Sequence, residues 1–295
     1  MAMRFTLMLG LGGYADHGVI AQAAERVGYH AISVPDSIFY PQQSESDYPY
    51  ADTAAVRSAL EIMPVIDPLV AIAGMAAVTE RIRFYPGVLK VPVRQPLVLA
   101  KALGSIAVMS NNRLSLGAGL SPWKEDFSYN GVNFEKRGKL MDESLEIIRA
   151  ALSGEYFEYH SENFDIGMVK LSPAPGQPVP ILIGGHAKPA LRRAARLGDG
   201  WISANTDLET LRGLIAQLNA FREEYGARSD GDFEIHALDS NLSSVDDCHK
   251  LCEIGVTDIC VTPWNPYQEG LSLQDKLEAV ERFSDNVIAR FGRTG

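Results

Sequence analysis

Gly184, Gly185, His186 and Lys188 are the densest group of residues able to do chemistry in this chain. An apolar run over residues 181–183 ends at the two glycines, and a helical pattern over 189–197 starts directly after them. Paired glycines at a helix N-terminus let backbone N–H groups approach an anion closely, and the helix dipole adds to the attraction. The spacing points to a phosphate-bearing ligand, with Lys188 as a nearby point charge. The alternative is a tight glycine turn that holds nothing. A histidine here has an ordinary pKa of about 6.5, suited to proton transfer, or His186 simply completes the phosphate site.

Other candidates are scattered. Asp36 closes an apolar run after Pro35, where it is either a ligand-binding carboxylate or a turn cap. His17 follows Tyr14 and Asp16, and the pattern predicts a helix-capping Asp16 beside an exposed His17. Trp123 and Trp201 read as apolar walls. Arg192, Arg193 and Arg196 share one helix and read as a solvated face or a dimer contact. Cys248 and Cys252 lie one helical turn apart with His249 between them, but no second ligand pair is near. Buried thiols are therefore expected there and at Cys260, and no metal.

The elements that must position these residues repeat. Short apolar runs over 4–9, 31–34, 82–88, 114–118, 179–183, 200–203, 232–237 and 257–261 read as strands. Helical patterns follow over 17–27, 68–79, 97–109, 134–152, 189–197, 208–225, 245–254 and 273–291. In the long helix, Glu143, Glu146 and Arg149 mark the expected polar side. Eight strand–helix units predict a closed (β/α)8 TIM barrel in a single domain, residues 1–295. No G-x-G-x-x-G fingerprint follows the first strand, which argues against an open dinucleotide-binding sheet. Two stretches interrupt the repeat: about 37–67, too long for a strand–helix loop, and about 155–172, which reads as a hairpin. Such insertions gather at the C-terminal face of a barrel, where active sites form.

A formal charge of −10 excludes a nucleic-acid surface. No run of 18 apolar residues is present, so no membrane span is expected. Three cysteines, an odd and sparse count, point to a reducing cytoplasm.

The chain resembles the luciferase-like monooxygenase superfamily of flavin and deazaflavin oxidoreductases over almost its full length. The resemblance lies in Val34-Pro35-Asp36-Ser37 and in Thr79 to Arg83 leading through Gly87-Val88 to Pro92, Arg94 and Pro96. It continues in Asn112 to Gly119 with Trp123 and Glu125-Asp126-Phe127, and in Phe134, Arg137-Gly138 and Asp142-Glu143. Gly184-Gly185 and Gly198-Asp199-Gly200-Trp201 complete it. Tyr48-Pro49-Tyr50, Asp67-Pro68 and Gly184-Gly185-His186 look most like the branch that uses coenzyme F420, a deazaflavin; FMN is the alternative.

The resemblance implies a ring across the barrel mouth, its phosphate at Gly184, Gly185, His186 and Lys188, and a contact from Asp36. It implies a bulge at Gly87–Val88, either carrying a non-prolyl cis peptide against the ring or simply ending the strand. Ala118, beside Gly119, stands where an FMN-using relative offers arginine, which favours the deazaflavin. Ser37 and Leu120 replace a histidine and a proton-donating glutamate of the family, so the catalytic residues stay unassigned. The expected activity is hydride transfer between F420 and a small organic substrate. An FMN-dependent monooxygenase using O2 is the alternative, and a non-catalytic flavin-binding protein a third reading. A homodimer is implied.

Overall fold

Parallel strands buried on both faces alternate with helices along the whole chain, as a closed barrel requires. The computed structural model describes residues 3–44, 46–50, 52–226, 233–238, 242, 244–266, 268 and 270–294. The elements are β1 (Arg4–Met8), α1 (His17–Arg26), β2 (Ala31–Val34), α2 (Thr53–Ile62), α3 (Pro68–Ala76), β3 (Arg83–Pro86), β4 (Leu89–Lys90) and α4 (Pro96–Met109). Next come β5 (Leu116–Gly119), α5 (Lys124–Ser128), α6 (Arg137–Leu152), β6 (Phe157–His160), β7 (Asp165–Val169), β8 (Ile181–Gly184) and α7 (Lys188–Leu197). The chain closes with β9 (Gly200–Ser203), α8 (Leu208–Glu224), β10 (Glu234–Leu238), α9 (Val245–Glu253), β11 (Asp258–Val261), α10 (Leu273–Phe283) and α11 (Ala289–Thr294). Asp232, expected to start the seventh strand (here β10), lies outside the described residues.

The nine strands of the main sheet run in the order β3-β2-β1-β11-β10-β9-β8-β5-β4, all parallel. Eight barrel strands were expected, and the ninth comes from splitting the third. β3 pairs with β2, and β4 pairs with β5, on either side of residues 87–88. The ring closes where Phe84 bridges to Leu114, with Phe84 N donating to the Arg113 carbonyl at 2.8 Å. The fold is thus a nearly closed TIM barrel. The 155–172 insertion is a hairpin as expected, β6 against β7.

The main apolar core fills the space between strands and helices, with Leu7, Ile32, Phe84, Leu103, Ile183 and Trp201 fully buried. Several helices begin on side-chain caps, at Asp52, Asp67, Asp207, Ser244 and Ser272. Two short helices, α2 and α5, were not foreseen because each lies in an insertion or a loop with weak periodicity. The last helix is not continuous: a wider turn, Ser284–Ile288, separates α10 from α11.

Several expectations fail for packing reasons. His17 is buried rather than exposed, and burial lowers its pKa. Asp16 makes no capping bond and instead meets Lys276 at 3.3 Å. Glu143 is buried on α6, where it accepts from Asn163 at 2.8 Å. Cys252 is exposed, while Cys248 and Cys260 are buried. Among the described residues no helix is long and apolar enough to cross a membrane.

Candidate active site

The C-terminal mouth of the barrel holds a cavity of about 240 Å3. One stretch of its wall is backbone, where Gly87, Val88, Gly119, Gly184 and Gly185 line it. The peptide between Gly87 and Val88 is cis, as the resemblance implied. The Val88 side chain wedges between β5 and β8. A methyl group on Gly119 or Gly184 would strike it, at 2.8 Å from Val88 Cγ1 in the case of Gly184. These two glycines are therefore required by a close approach of side chain to backbone. Gly185 is required differently, by a backbone φ of +117° at the turn into α7. Trp201, fully buried, fixes that turn by donating from Nε1 to the Gly185 carbonyl at 2.8 Å.

Helix α7 begins at the cavity edge. Ala187 precedes it and provides no side-chain cap; Pro189 has no N–H and the Ala190 and Leu191 amides donate to the Ala187 carbonyl at 2.7 and 3.1 Å, which leaves the Ala187 and Lys188 amides as the candidates for an anion. Arg193, expected on a solvated face, is 7% exposed and lines the cavity. Its guanidinium is ion-paired with Asp142 and donates to the Gly138 carbonyl at 3.1 Å. Insertion 37–67 closes the opposite wall with Tyr48 and Tyr50. Tyr48 stacks on Trp123 with ring centroids 6.0 Å apart, and Tyr50 meets the His186 ring edge-on at 5.1 Å. Ser33, Tyr85 and Cys260 form the polar floor.

Of the residues expected to hold the cofactor, the structure gathers Gly87, Val88, Gly119, Gly184 and Gly185 at the cavity. Four others stand away from its lining. Ala118 is fully buried in the core, because alternation along β5 turns it away from the neighbouring Gly119. His186 sits behind the turn, 3.0 Å from Ser203 Oγ, and burial lowers its pKa. It therefore offers a neutral ring near neutral pH. Lys188 is exposed, with Nζ 6.0 Å above the Phe221 ring. The Asp36 carboxylate is saturated: it accepts from Arg94 at 2.8 and 2.9 Å and from Lys90 N at 2.9 Å.

Sequence reasoning missed Tyr85, Ser33, Cys260 and Arg193. Tyr48 and Tyr50 were visible as an insertion motif, whereas the others are single residues on separate strands or helices. Arg113, part of the most motif-like block, is a structural residue. It is buried and donates to the carbonyls of Ala76, Thr79, Ile82 and Ser110, tying α3 to β3.

A second, larger cavity of about 760 Å3 opens at the other end, beside Arg4, His30 and Arg81. Barrel enzymes carry their chemistry at the C-terminal face, and only the mouth brings together loop tyrosines, a helix start and backbone glycines. The candidate site is therefore the smaller cavity.

A barrel with a backbone-walled mouth and a split third strand defines the class, and comparison places the chain within it: residues 3–241 match the luciferase-like monooxygenase family, and the chain belongs to that family. An uncharacterised protein of Mycobacterium tuberculosis is 44% identical over 291 residues, covering 98% of this chain and all of that protein. The F420-dependent hydroxymycolic acid dehydrogenase of the same organism is 26% identical over 202 residues, 66% of this chain and 51% of that protein.

Among solved structures, a monooxygenase from Streptomyces bottropensis superposes with a TM-score of 0.77 at 16% identity, covering 98% of this chain and all of that one. The coenzyme F420-dependent tetrahydromethanopterin reductase of Methanopyrus kandleri gives 0.75 at 15% identity, covering 99% and 100%. The characterised proteins among these are a dehydrogenase and a reductase that depend on F420 and a monooxygenase.

Proposed function

We infer that this protein is an F420-dependent oxidoreductase that moves a hydride between the deazaflavin and a small organic substrate. The observation that carries this reading is the backbone-walled cavity at the mouth, bounded by Gly87–Val88 on one side and the uncapped start of α7 on the other. A flat, largely neutral ring packs on such a wall without needing charged partners, and a ribityl phosphate suits the helix start. The residues present fit the group on both counts. The F420-dependent dehydrogenase relative supports the deazaflavin over FMN; alanine at position 118 does not bear on the choice, because it faces the core.

Within this reading, Gly87 and Val88 support the ring, and Gly119 and Gly184 make room for Val88. The Ala187 and Lys188 amides at the start of α7 are the donors for the phosphate, with Arg193 at the edge of the same cavity. His186 supports the turn through Ser203. Asp36 fixes Lys90 and Arg94, and its role is to hold the rim in place. Lys188 adds long-range positive charge only. Tyr48 and Tyr50 shape the substrate side and exclude water. The bound deazaflavin supplies the hydride chemistry; the protein supplies position, a dry pocket and a proton.

The homodimer and the cytoplasmic setting belong to the same proposal. Val70 on α3 and Val98 and Met109 on α4 are 62%, 72% and 75% exposed, an apolar surface that a second copy would cover. The free thiols suit a reducing compartment.

The test is a titration of the apo-protein with coenzyme F420 and with FMN, read by tryptophan fluorescence. Trp201 is bonded to the glycine turn and so reports directly on it. Quenching by the deazaflavin at micromolar concentration or below, with FMN ineffective, is expected. Preference for FMN replaces hydride transfer with flavin monooxygenation, and binding of neither removes the cofactor reading.

A further inference from the structure

The mouth cavity is small for its proposed contents. Its volume of about 240 Å3 falls below the roughly 300–1,000 Å3 of ordinary ligand pockets, and the ring end of a cofactor and a substrate have to share it. Part of the wall must therefore move, and the contacts around the mouth differ in strength.

Most of the rim is pinned. Asp36, at the root of the 37–67 insertion, is held by Arg94 at 2.8 and 2.9 Å and by the Lys90 amide at 2.9 Å. The Lys90 ammonium in turn meets the Asp126 carboxylate of α5 at 2.6 Å, with the two side chains 9% and 2% exposed. Ser121 also donates to Asp126 and accepts from Trp123 N at 3.1 Å, which fixes the Trp123 ring as a platform. Breaking buried, hydrogen-bonded ion pairs of this kind is costly. Further along the insertion, Arg57 of α2 donates to the Pro41 carbonyl at 3.0 Å, with its guanidinium 4.9 Å from the Tyr40 ring centroid.

Residues 46–50 are attached differently. Ser46 Oγ accepts from Lys124 N at 3.1 Å and lies 3.4 Å from the Glu125 carboxylate. The Tyr48 ring stacks on Trp123, in the loop after β5, and the Tyr50 ring meets His186, in the loop after β8, edge-on. The Tyr50 hydroxyl stands over the glycine turn, 3.6 Å from the point a Cβ on Gly185 would occupy. Asp47 and Pro49, between these contact residues, are exposed. Ring contacts and a serine hydroxyl are individually weak, so this stretch can lift while the pinned rim stays in place.

We propose that residues 46–50 are a gate over the mouth, latched to the Trp123 platform by Tyr48 and to the turn before α7 by Tyr50, and that the gate lifts to admit ligands. Its use for cofactor and substrate rests on the hydride-transfer reading above; the lifting itself does not.

The cysteines read the opening without any cofactor. Cys260 lines the cavity floor and is buried, so a thiol reagent reaches it through the mouth. Cys248 is buried in the core outside this cavity and reports general unfolding. Cys252 is exposed and is removed as Cys252→Ser. In that apo-protein, modification by iodoacetamide is followed by peptide mass mapping. Tyr48→Ala and Tyr50→Ala are each expected to speed modification of Cys260 about tenfold, with Cys248 unchanged. Ser46→Ala separates a lifting gate from a mere hole in the wall, because Ser46 stands outside the cavity lining. It is expected to speed Cys260 about threefold. Tyrosine variants that react no faster, a Ser46→Ala protein with the parent rate, or Cys248 accelerating together with Cys260 overturns the gate. Failure to bind deazaflavin removes the hydride reading, while the labelling of Cys260 still decides whether the mouth is gated.

Discussion

At the mouth of the barrel the Val88 side chain is held between two glycines, Gly119 and Gly184. Deeper in the interior His236 Nε2 meets two carboxylates, Glu234 at 2.8 Å and Asp258 at 3.6 Å. The first arrangement works by removing side chains so that backbone can approach backbone. The second works by gathering charges that satisfy one another, with Arg4 and Glu234 still partly exposed. The difference has physical consequences. A site built from backbone presents a surface of fixed shape and little charge, and its weak point is volume. A cluster built from buried ions tolerates changes of volume but not the loss of a charge, and it responds to pH.

The sharpest way to break the contrast is to remove one charge from below. Arg4→Met leaves the Asp258 carboxylate buried without its guanidinium, and about 3–5 kcal/mol of stability should be lost in urea unfolding. If the loss is well under this, the lower cluster is wetter than the burial of Asp258 indicates.

The next effect is the pH response. The folded pKa of Glu234 is depressed from 4.5 to about 2, so its contribution is present above pH 4.5 and is lost as pH falls through about 2. On the order of 3 kcal/mol is involved. Acid unfolding of the parent should be steep in that window and flatter in Glu234→Gln.

At the mouth, Gly184→Ala puts a methyl group 2.8 Å from Val88. Overpacking of this kind should cost about 1–3 kcal/mol and displace Val88, weakening deazaflavin binding while leaving the acid response of the lower cluster unchanged. The smallest effect is expected at Lys188, which is exposed and turned towards Phe221. Lys188→Ala should change stability by less than about 0.5 kcal/mol and change cofactor affinity little. A large loss of affinity would return this lysine to the phosphate site.

Much of this molecule can be read along its sequence. The strand–helix repeat, the hairpin near residues 157–169 and the glycine turn before α7 are local patterns, and local hydrogen bonding and apolar periodicity enforce them wherever they occur. The glycines of the mouth were legible because a missing side chain is itself a signal. Other expectations went astray where a residue type has one meaning locally and another in the fold. Arg193 has the sequence context of a surface arginine but pairs with Asp142 of another helix. Asp36 has the context of a ligand or cap but is taken by Arg94, 58 residues away. His17 follows a polar turn yet is buried.

The sequence by itself determined the class of fold, the order of the elements and where glycines would bring backbone close to the mouth. Those features depend on spacing along one strand, one turn or one helix. Only the tertiary structure decided that Arg4, Tyr85, Glu234, His236 and Asp258 meet. They stand on four different strands, and the alternation of side chains about each strand brings them to a common interior only once the barrel closes. No spacing in the chain encodes a contact between residues 151 positions apart, such as that of Tyr85 with His236. The closure of the ring makes it.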